Sequence, residues 1–129
     1  MMTAEPFSIG KLVKAFYKTG TYIGEITDIR PQGYLVKILA VVKHPIQGDL
    51  HNPKQADVQF FHQRRALAYR EQTNVPNNMV KEFTGEVPSY TESLKAALTL
   101  AMKDLKDKED PWSKKSLSSL EELETDYFK

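Results

Sequence analysis

The first half of the chain has the hydrophobic spacing of β-strands. Apolar and aromatic residues form three runs, at positions 11–17, 22–29 and 34–42, and short turn sequences separate the runs. The third run is rich in aromatic and β-branched side chains, as is typical of a central strand. In the turn at 18–21, Gly20 can adopt a positive φ at little cost. Three strands joined by short turns predict a meander that closes into a small barrel.

A long polar connection over residues 44–57 interrupts this strand pattern. A loop of this length in a compact domain is often functional. Beyond it, residues 58–61 predict a short strand, and the alternating residues 65–72 predict another, with a helix as the alternative. Proline and asparagine at 74–78 then predict a single 3₁₀ turn before a last strand.

From residue 88 the spacing becomes helical. Ser89 and Glu92 form a capping-box sequence, and apolar residues then recur at intervals of three and four. Asp110 followed by Pro111 predicts a second helix start, because an N-cap carboxylate precedes a proline whose missing N–H costs nothing there. The predicted helices span residues 89–108 and 111–127.

Neither helix would be stable alone in water, so each apolar stripe must be buried against the other helix, the barrel or a partner. The stripes consist of Leu94, Ala97, Leu98, Ala101 and Leu105, and of Leu117, Leu120, Leu123 and Tyr127. The predicted fold is therefore α+β. It consists of a five-stranded SH3-like barrel over residues 1–87, followed by a C-terminal α-helical hairpin over residues 88–129.

Composition narrows the class of protein. The 129 residues are 40% hydrophobic and 27% charged with a net charge of +1, which suits one folded domain or a small domain with an appendage. There is no apolar run of about 20 residues for a membrane span, and the first six residues lack signal-peptide character. Cysteine is absent, which excludes disulfides, thiol nucleophiles and lipid on cysteine. We therefore expect a cytoplasmic protein.

Histidines and a carboxylate in or beside the long connection could bind zinc or iron. These residues are His44, Asp49, His51 and His62. Their spacing does not match the helical H-E-x-x-H arrangement, and the chain has no G-x-S-x-G, phosphate-loop or dinucleotide motif. We therefore expect no metal or other cofactor, no small-molecule substrate and no enzymatic activity.

Small barrels also bind RNA or DNA through basic and aromatic residues on one face. The candidates for such a face are Lys11, Lys14, Tyr17, Lys18, Tyr22, Arg64, Arg65, Tyr69 and Arg70. Residues 1–75 hold ten Lys/Arg and six Asp/Glu, a net charge of +4 that is modest for phosphate binding. A nucleic-acid-binding module is the alternative to the protein-interaction hypothesis below.

Amphipathic aromatic residues, which are enriched at protein interfaces, favour a protein-interaction module. They are Tyr17, Tyr22, Tyr69, Tyr90, Trp112 and Tyr127. Trp112, near a helix start, could either wedge the hairpin onto the rest of the domain or contact a partner. Spacing alone does not choose between these two roles.

Several segments resemble the kinase-associated protein B family of spore-forming bacilli. They are KTGTYIGEI at 18–26, YLVKILAVVKHP at 34–45, QGDLH at 47–51, FFHQRRALA at 60–68, REQTN at 70–74 and PWSKKSL at 111–117. The resemblance extends from about residue 8 to the end of the chain. It implies an SH3-like barrel followed by a helical segment.

The resemblance also implies a role at the start of sporulation, in which the protein is needed for a membrane sensor histidine kinase to feed phosphate into the phosphorelay. It carries over no catalytic or ligand-binding residue. The family is also called kinase-associated lipoprotein B, yet this sequence has no cysteine to carry the lipid. The resemblance therefore implies protein contacts with the kinase on the cytoplasmic side, with membrane association only through the kinase.

The expected contact surface is the long connection with its neighbouring arginines, because binding residues often lie on loops held by a rigid scaffold. The predicted partner-binding residues are His44, Asp49, His51, His62, Arg64, Arg65 and Arg70.

Overall fold

The computed structural model describes residues 7–48 and 61–129, which form one antiparallel sheet and two α-helices. The strands are β1 (Leu12–Tyr17), β2 (Gly20–Arg30), β3 (Gly33–Lys43), β4 (Gln72–Pro76) and β5 (Val80–Glu82). The sheet has the order β4-β3-β2-β1-β5. The helices are α1 (Tyr90–Lys106) and α2 (Pro111–Tyr127). The predicted α+β class is thereby confirmed.

The predicted meander is present as β1, β2 and β3, although its first turn differs in detail. Tyr17 pairs with Gly20, so Lys18 and Thr19 make the turn. The positive φ in this turn, 47°, is at Lys18 and not at Gly20, although Gly20 could adopt one at little cost. Gly20 is instead needed for space, because a Cβ there would lie 2.5 Å from the hydroxyl of Tyr22.

The predicted strand over residues 65–72 is wrong. Residues 61–68 have no regular structure, and β4 begins only at Gln72. Arg70 has a φ of 68°, in the left-handed region that an extended strand excludes. Of the short strand predicted at 58–61, only Phe61 lies within the described residues, and it is not in a strand.

Along this irregular segment, tyrosine hydroxyls accept backbone hydrogen bonds of the kind that a neighbouring strand would accept. The amide of Ala66 donates to the hydroxyl of Tyr127 at 2.9 Å, and the amide of Leu67 donates to that of Tyr22 at 3.3 Å. The alternation in the sequence therefore does not correspond to strand pairing in this segment. The 3₁₀ turn predicted before the last strand is confirmed at Asn77–Met79.

Both predicted helix starts are confirmed. The Ser89 hydroxyl accepts a hydrogen bond from the Glu92 amide at 3.1 Å, and the Asp110 carboxylate accepts one from the Ser113 amide at 2.9 Å. The second helix ends at Tyr127 as predicted, whereas the first ends at Lys106, two residues before the predicted end.

The first helix packs directly on the sheet. Leu94 and Ala97 belong to the same buried cluster as the inward-facing residues of the strands. The amide of Val41 in β3 donates to the Ser93 hydroxyl at 2.9 Å, which fixes α1 against β3. A second cluster joins the two helices to each other. It consists of Leu98, Met102, Leu105, Trp112, Leu120 and Leu123.

Candidate functional site

The two ends of the long connection lie side by side. We call residues 44–48 and 61–68 the junction. The Gly48 amide donates to the His62 carbonyl at 3.0 Å, and the Arg64 amide donates to the side chain of Gln47 at 2.9 Å. The junction is thereby a fixed structure at the end of β3 and not an open loop in its described part.

Gln47 is the centre of the junction, and only 3% of it is exposed. Its Nε2 donates to the carbonyls of Pro45 at 3.1 Å and Arg64 at 2.9 Å. Its Oε1 accepts from the Arg64 amide at 2.9 Å and the Ser119 hydroxyl at 2.8 Å. Its carbonyl accepts from Trp112 Nε1 at 3.3 Å. One side chain therefore joins both segments of the junction to α2.

His44 makes the second link to α2. Its Nδ1 lies 3.0 Å from the Pro45 carbonyl, and its Nε2 lies 2.9 Å from the hydroxyl of Tyr127. Because a carbonyl only accepts, Nδ1 carries the proton, and Nε2 accepts from the tyrosine. The same hydroxyl accepts from the Ala66 amide. Burial lowers the pKa of His44, against a smaller opposing effect of the Pro45 hydrogen bond.

Three tyrosines around the junction stay protonated: Tyr22 is buried, and Tyr90 and Tyr127 are partly buried. Burial raises the pKa of Tyr22 and of Tyr90 to about 12, and it also raises the pKa of Tyr127. The Tyr90 hydroxyl donates to the Leu67 carbonyl, whereas the Tyr22 and Tyr127 hydroxyls accept from the amides of Leu67 and Ala66. At neutral pH these protonated phenols therefore hold the irregular segment on the sheet and on α2.

The three predicted arginines have different settings. Arg64 is half-buried, and its Nε donates to the Gly48 carbonyl at 3.2 Å within the junction. Arg65 is exposed, forms an ion pair with Asp126 and lies 5.1 Å from the ring centroid of Tyr127. Arg70 is exposed in the turn before β4. Arg65 and Arg70 therefore carry charge at the surface, while Arg64 holds the junction.

The structure gathers four of the seven predicted site residues in the junction and places a fifth, Arg70, beyond it. His44 is buried with 2% exposed, whereas His62 is exposed. Asp49 and His51 lie outside the described residues. Within 7–48 and 61–129, no three His, Asp or Glu side chains come together as a metal site.

A groove with a volume of about 390 Å³ lies between the junction, the end of β3 and the two helices. Its walls are mainly apolar, and two exposed apolar side chains border it, Val42 with 40% and Leu100 with 60% exposed. The groove is also lined by the junction residues His44, Pro45, Ile46 and Gln47, and by Ala97, Ala101, Leu105, Trp112, Ser116 and Leu120. Its charged residues are Lys43, Asp104 and Lys108.

One buried hydroxyl in the wall of the groove has no hydrogen-bond partner among the described residues. It belongs to Ser116, which is 1% exposed. Two other buried serines of α2 are paired: Ser113 donates to the Asp110 carboxylate at 2.7 Å, and Ser119 donates to Gln47. Because buried polar atoms are normally paired, Ser116 is the exception that needs an explanation.

Sequence reasoning did not find Gln47 or the buried serines. Ser113, Ser116 and Ser119 follow one another at intervals of three and share the buried face with Leu120 and Leu123. That spacing was the available signal, since polar residues on an apolar stripe must be paired or functional. Leu117, which the predicted stripe included, is only half-buried. Trp112 packs between the helices and donates to the junction.

The fold and the groove together define an α+β protein with a mainly apolar groove between its sheet and its helices. Neither α1 nor α2 combines the length and apolarity that crossing a bilayer requires.

Comparisons with known proteins agree on the family. The family model described as Kinase associated protein B matches residues 17–128. The chain is 60% identical over 122 residues to Kinase-associated lipoprotein B of Bacillus subtilis (strain 168), with 95% of each chain covered. It is similar to the crystal structure of kinase-associated protein B from Bacillus cereus, with 47% identity, a TM-score of 0.81, and 95% of this chain and 98% of that chain covered. The chain belongs to the Kinase associated protein B family, and the resemblance stated from the sequence is confirmed.

Proposed function

We propose that this protein is a non-enzymatic accessory protein that binds a membrane sensor histidine kinase and supports its supply of phosphate to the sporulation phosphorelay. The observation that carries the proposal is the match to Kinase-associated lipoprotein B over 95% of both chains. The name of that relative describes association with a kinase. A groove between packed elements, bordered by exposed apolar residues, is consistent with a binding role.

The proposed contact surface is the exposed side of the junction. Arg65, Arg70 and His62 are exposed there, and Asp49 and His51 belong to the same connection in sequence. His44 and Arg64 act indirectly in this proposal, because their side chains bond within the junction and hold its shape.

Three further features belong to the proposal. The strand order β4-β3-β2-β1-β5, with a 3₁₀ turn between β4 and β5, supports an SH3-like barrel. We place the barrel in residues 1–87 and the helical hairpin in residues 88–129. We also place the protein in the cytoplasm, in contact with the membrane only through the kinase, since the sequence has no cysteine to carry a lipid.

Calorimetric titration of the full chain with the cytoplasmic part of the sensor kinase from the same organism tests the proposal. Saturable binding is the expected result, together with no heat from single-stranded RNA at moderate salt. Absence of kinase binding would overturn direct association. RNA binding that weakens steeply with salt would instead support the nucleic-acid alternative.

A matched pair of variants tests the contact surface. Arg65→Glu combined with Arg70→Glu should weaken kinase binding at least about tenfold, since reversal of a well-placed charge adds repulsion to lost attraction. Arg30→Glu is the control, because Arg30 is also an exposed arginine with an acidic partner, Asp28. It lies at the turn of the β2–β3 hairpin, whereas the junction follows the other end of β3. Equal effects of the two changes would rule out a localised surface.

A further inference from the structure

We propose that the groove receives a tyrosine side chain from an acidic segment of the protein partner, and that Ser116 bonds to the hydroxyl of that tyrosine. This inference rests on the proposed function, because a protein partner supplies the side chain. It adds the occupant of the groove and the residue that recognises it.

The size and walls of the groove suit one bulky apolar group. Its volume of about 390 Å³ is at the lower end of the range of ligand pockets. Leu105, Trp112 and Leu120 provide apolar walls, while Val42 and Leu100 stay exposed at the border. Large side chains at a border that is 40% to 60% exposed gain by contact with another apolar surface.

The hydroxyl of Ser116 distinguishes among apolar occupants. It is buried in the groove wall and has no hydrogen-bond partner in the part of the chain that the structure describes. A phenylalanine or leucine side chain would leave this already buried hydroxyl unpaired, as it is in the free chain, and would gain no hydrogen bond from it. A tyrosine fills the same space and brings a hydroxyl that both donates and accepts, so it satisfies the serine.

The charges beside the groove indicate the sign of the partner segment. Lys43 and Lys108 are exposed, and neither forms an ion pair within 4 Å in residues 7–48 and 61–129, although Lys108 is near enough to Asp110 to help lower the pKa of that carboxyl. Asp104 is the acidic residue that lines the groove. Two lysines against one aspartate favour a segment with carboxylates next to its tyrosine.

Side-chain analogues test the groove without the kinase. The full ¹⁵N-labelled chain is titrated with p-cresol, the analogue of tyrosine, and with toluene, the analogue of phenylalanine, while backbone amide shifts are followed by NMR. Both probes should shift amides lining the groove, such as those of Ala101 and Trp112. Leu100→Glu, a change at an exposed position, should abolish the shifts from both.

The serine variant gives the decisive comparison. Ser116→Ala should weaken p-cresol binding about fivefold, the usual worth of one hydrogen bond, and leave toluene binding unchanged. Ser118→Ala, at an exposed serine of the same helix, should change neither. The inference is overturned if p-cresol shifts amides elsewhere, or if Ser116→Ala affects the two probes equally. Because no kinase is present, this outcome is separate from success or failure of the kinase titration.

The charge of the segment is tested in the same way. N-acetyl-tyrosine, with a free carboxylate, should bind more tightly than N-acetyl-tyrosinamide. The preference should shrink in the double variant Lys43→Gln, Lys108→Gln and with added salt. Equal affinity of the two tyrosine derivatives for the wild-type chain would overturn the acidic part of the inference.

Discussion

The junction and the groove share several residues but differ in whether their buried polar atoms are hydrogen-bonded. In the junction, the amide of Gln47 makes four hydrogen bonds and His44 uses both ring nitrogens. In the groove, the hydroxyl of Ser116 is buried to the same degree and unpaired among the described residues. A fully paired network favours a single geometry. An unpaired buried group costs stability, so a residue that carries one is retained for a reason other than folding.

This difference separates buried polar residues that stabilise the fold from buried polar residues that we expect to act in binding. The two kinds have the same spacing in the sequence. Changes in the junction should lower the free energy of unfolding, because each leaves several polar groups unpaired. Changes at the unpaired Ser116 or at the exposed groove residue Leu100 should leave stability the same or raise it, and should act on binding. The predictions below test that separation.

The largest loss of stability is expected at the centre of the junction. Gln47→Ala removes the partner of the Pro45 carbonyl, of the Arg64 backbone and of the Ser119 hydroxyl. It should lower the free energy of unfolding by about 3 kcal/mol, measured by urea unfolding. Gln63→Ala is the control, since Gln63 is exposed and also bonds to α2. A loss no greater than that of the control would contradict the central role of Gln47.

A smaller loss is expected at the other link to α2. Tyr127→Phe keeps the ring but removes the hydroxyl shared by His44 and the Ala66 amide. We expect a loss of about 2 kcal/mol in the same urea experiment, because two buried groups lose their partner. Tyr69→Phe removes a hydroxyl from a tyrosine that is 55% exposed and should be nearly neutral. If both variants unfold at the same urea concentration, the Tyr127 hydroxyl does not hold the junction.

The sequence predicts well what depends on local spacing. Both N-caps, Ser89 and Asp110, and the three-strand meander follow from residues close together in the chain. The strand predicted over residues 65–72 was wrong, and at Ala66 and Leu67 the backbone bonds instead to tyrosines 61 and 45 residues away. No local pattern encodes such distant partners.

The candidate site was predicted only in outline. The long connection and its arginines directed attention to the end of β3, where the structure places both His44 and Arg64 in the junction. The groove itself could not be predicted, because its walls come from β3, the junction and two helices that the chain brings together only on folding. Whether the junction binds a partner stays a prediction.

The third prediction concerns pH. Burial lowers the pKa of His44 below 6.5, so below that pH the unfolded chain binds a proton that the folded chain resists. Stability is therefore full above pH 6.5 and is lost as pH falls toward the folded pKa, by at most about 1.4 kcal/mol per pH unit. Glu82, Asp110 and Asp126 have lowered pKa values starting from 4.5 or less, so they act at lower pH.

Urea unfolding at pH 7 and pH 5.5 measures this effect. The wild-type chain should be less stable at pH 5.5 than at pH 7. The loss should disappear in His44→Gln and persist in His62→Gln, whose histidine is exposed in the same junction. An unchanged loss in His44→Gln would assign the pH dependence to another group.

The smallest expected effects give the clearest test, because the free energy of unfolding should change with opposite sign at a paired and at an unpaired buried hydroxyl. Ser113 and Ser116 are each 1% exposed and lie one turn apart on α2. Ser113→Ala removes the hydrogen bond to Asp110 and should lower the free energy of unfolding by about 1 kcal/mol. Ser116→Ala removes an unpaired buried hydroxyl and should raise it by about 0.5 kcal/mol. A loss of stability in both variants would show that Ser116 is paired in the free protein, and a water or side chain would then replace the proposed tyrosine as its partner.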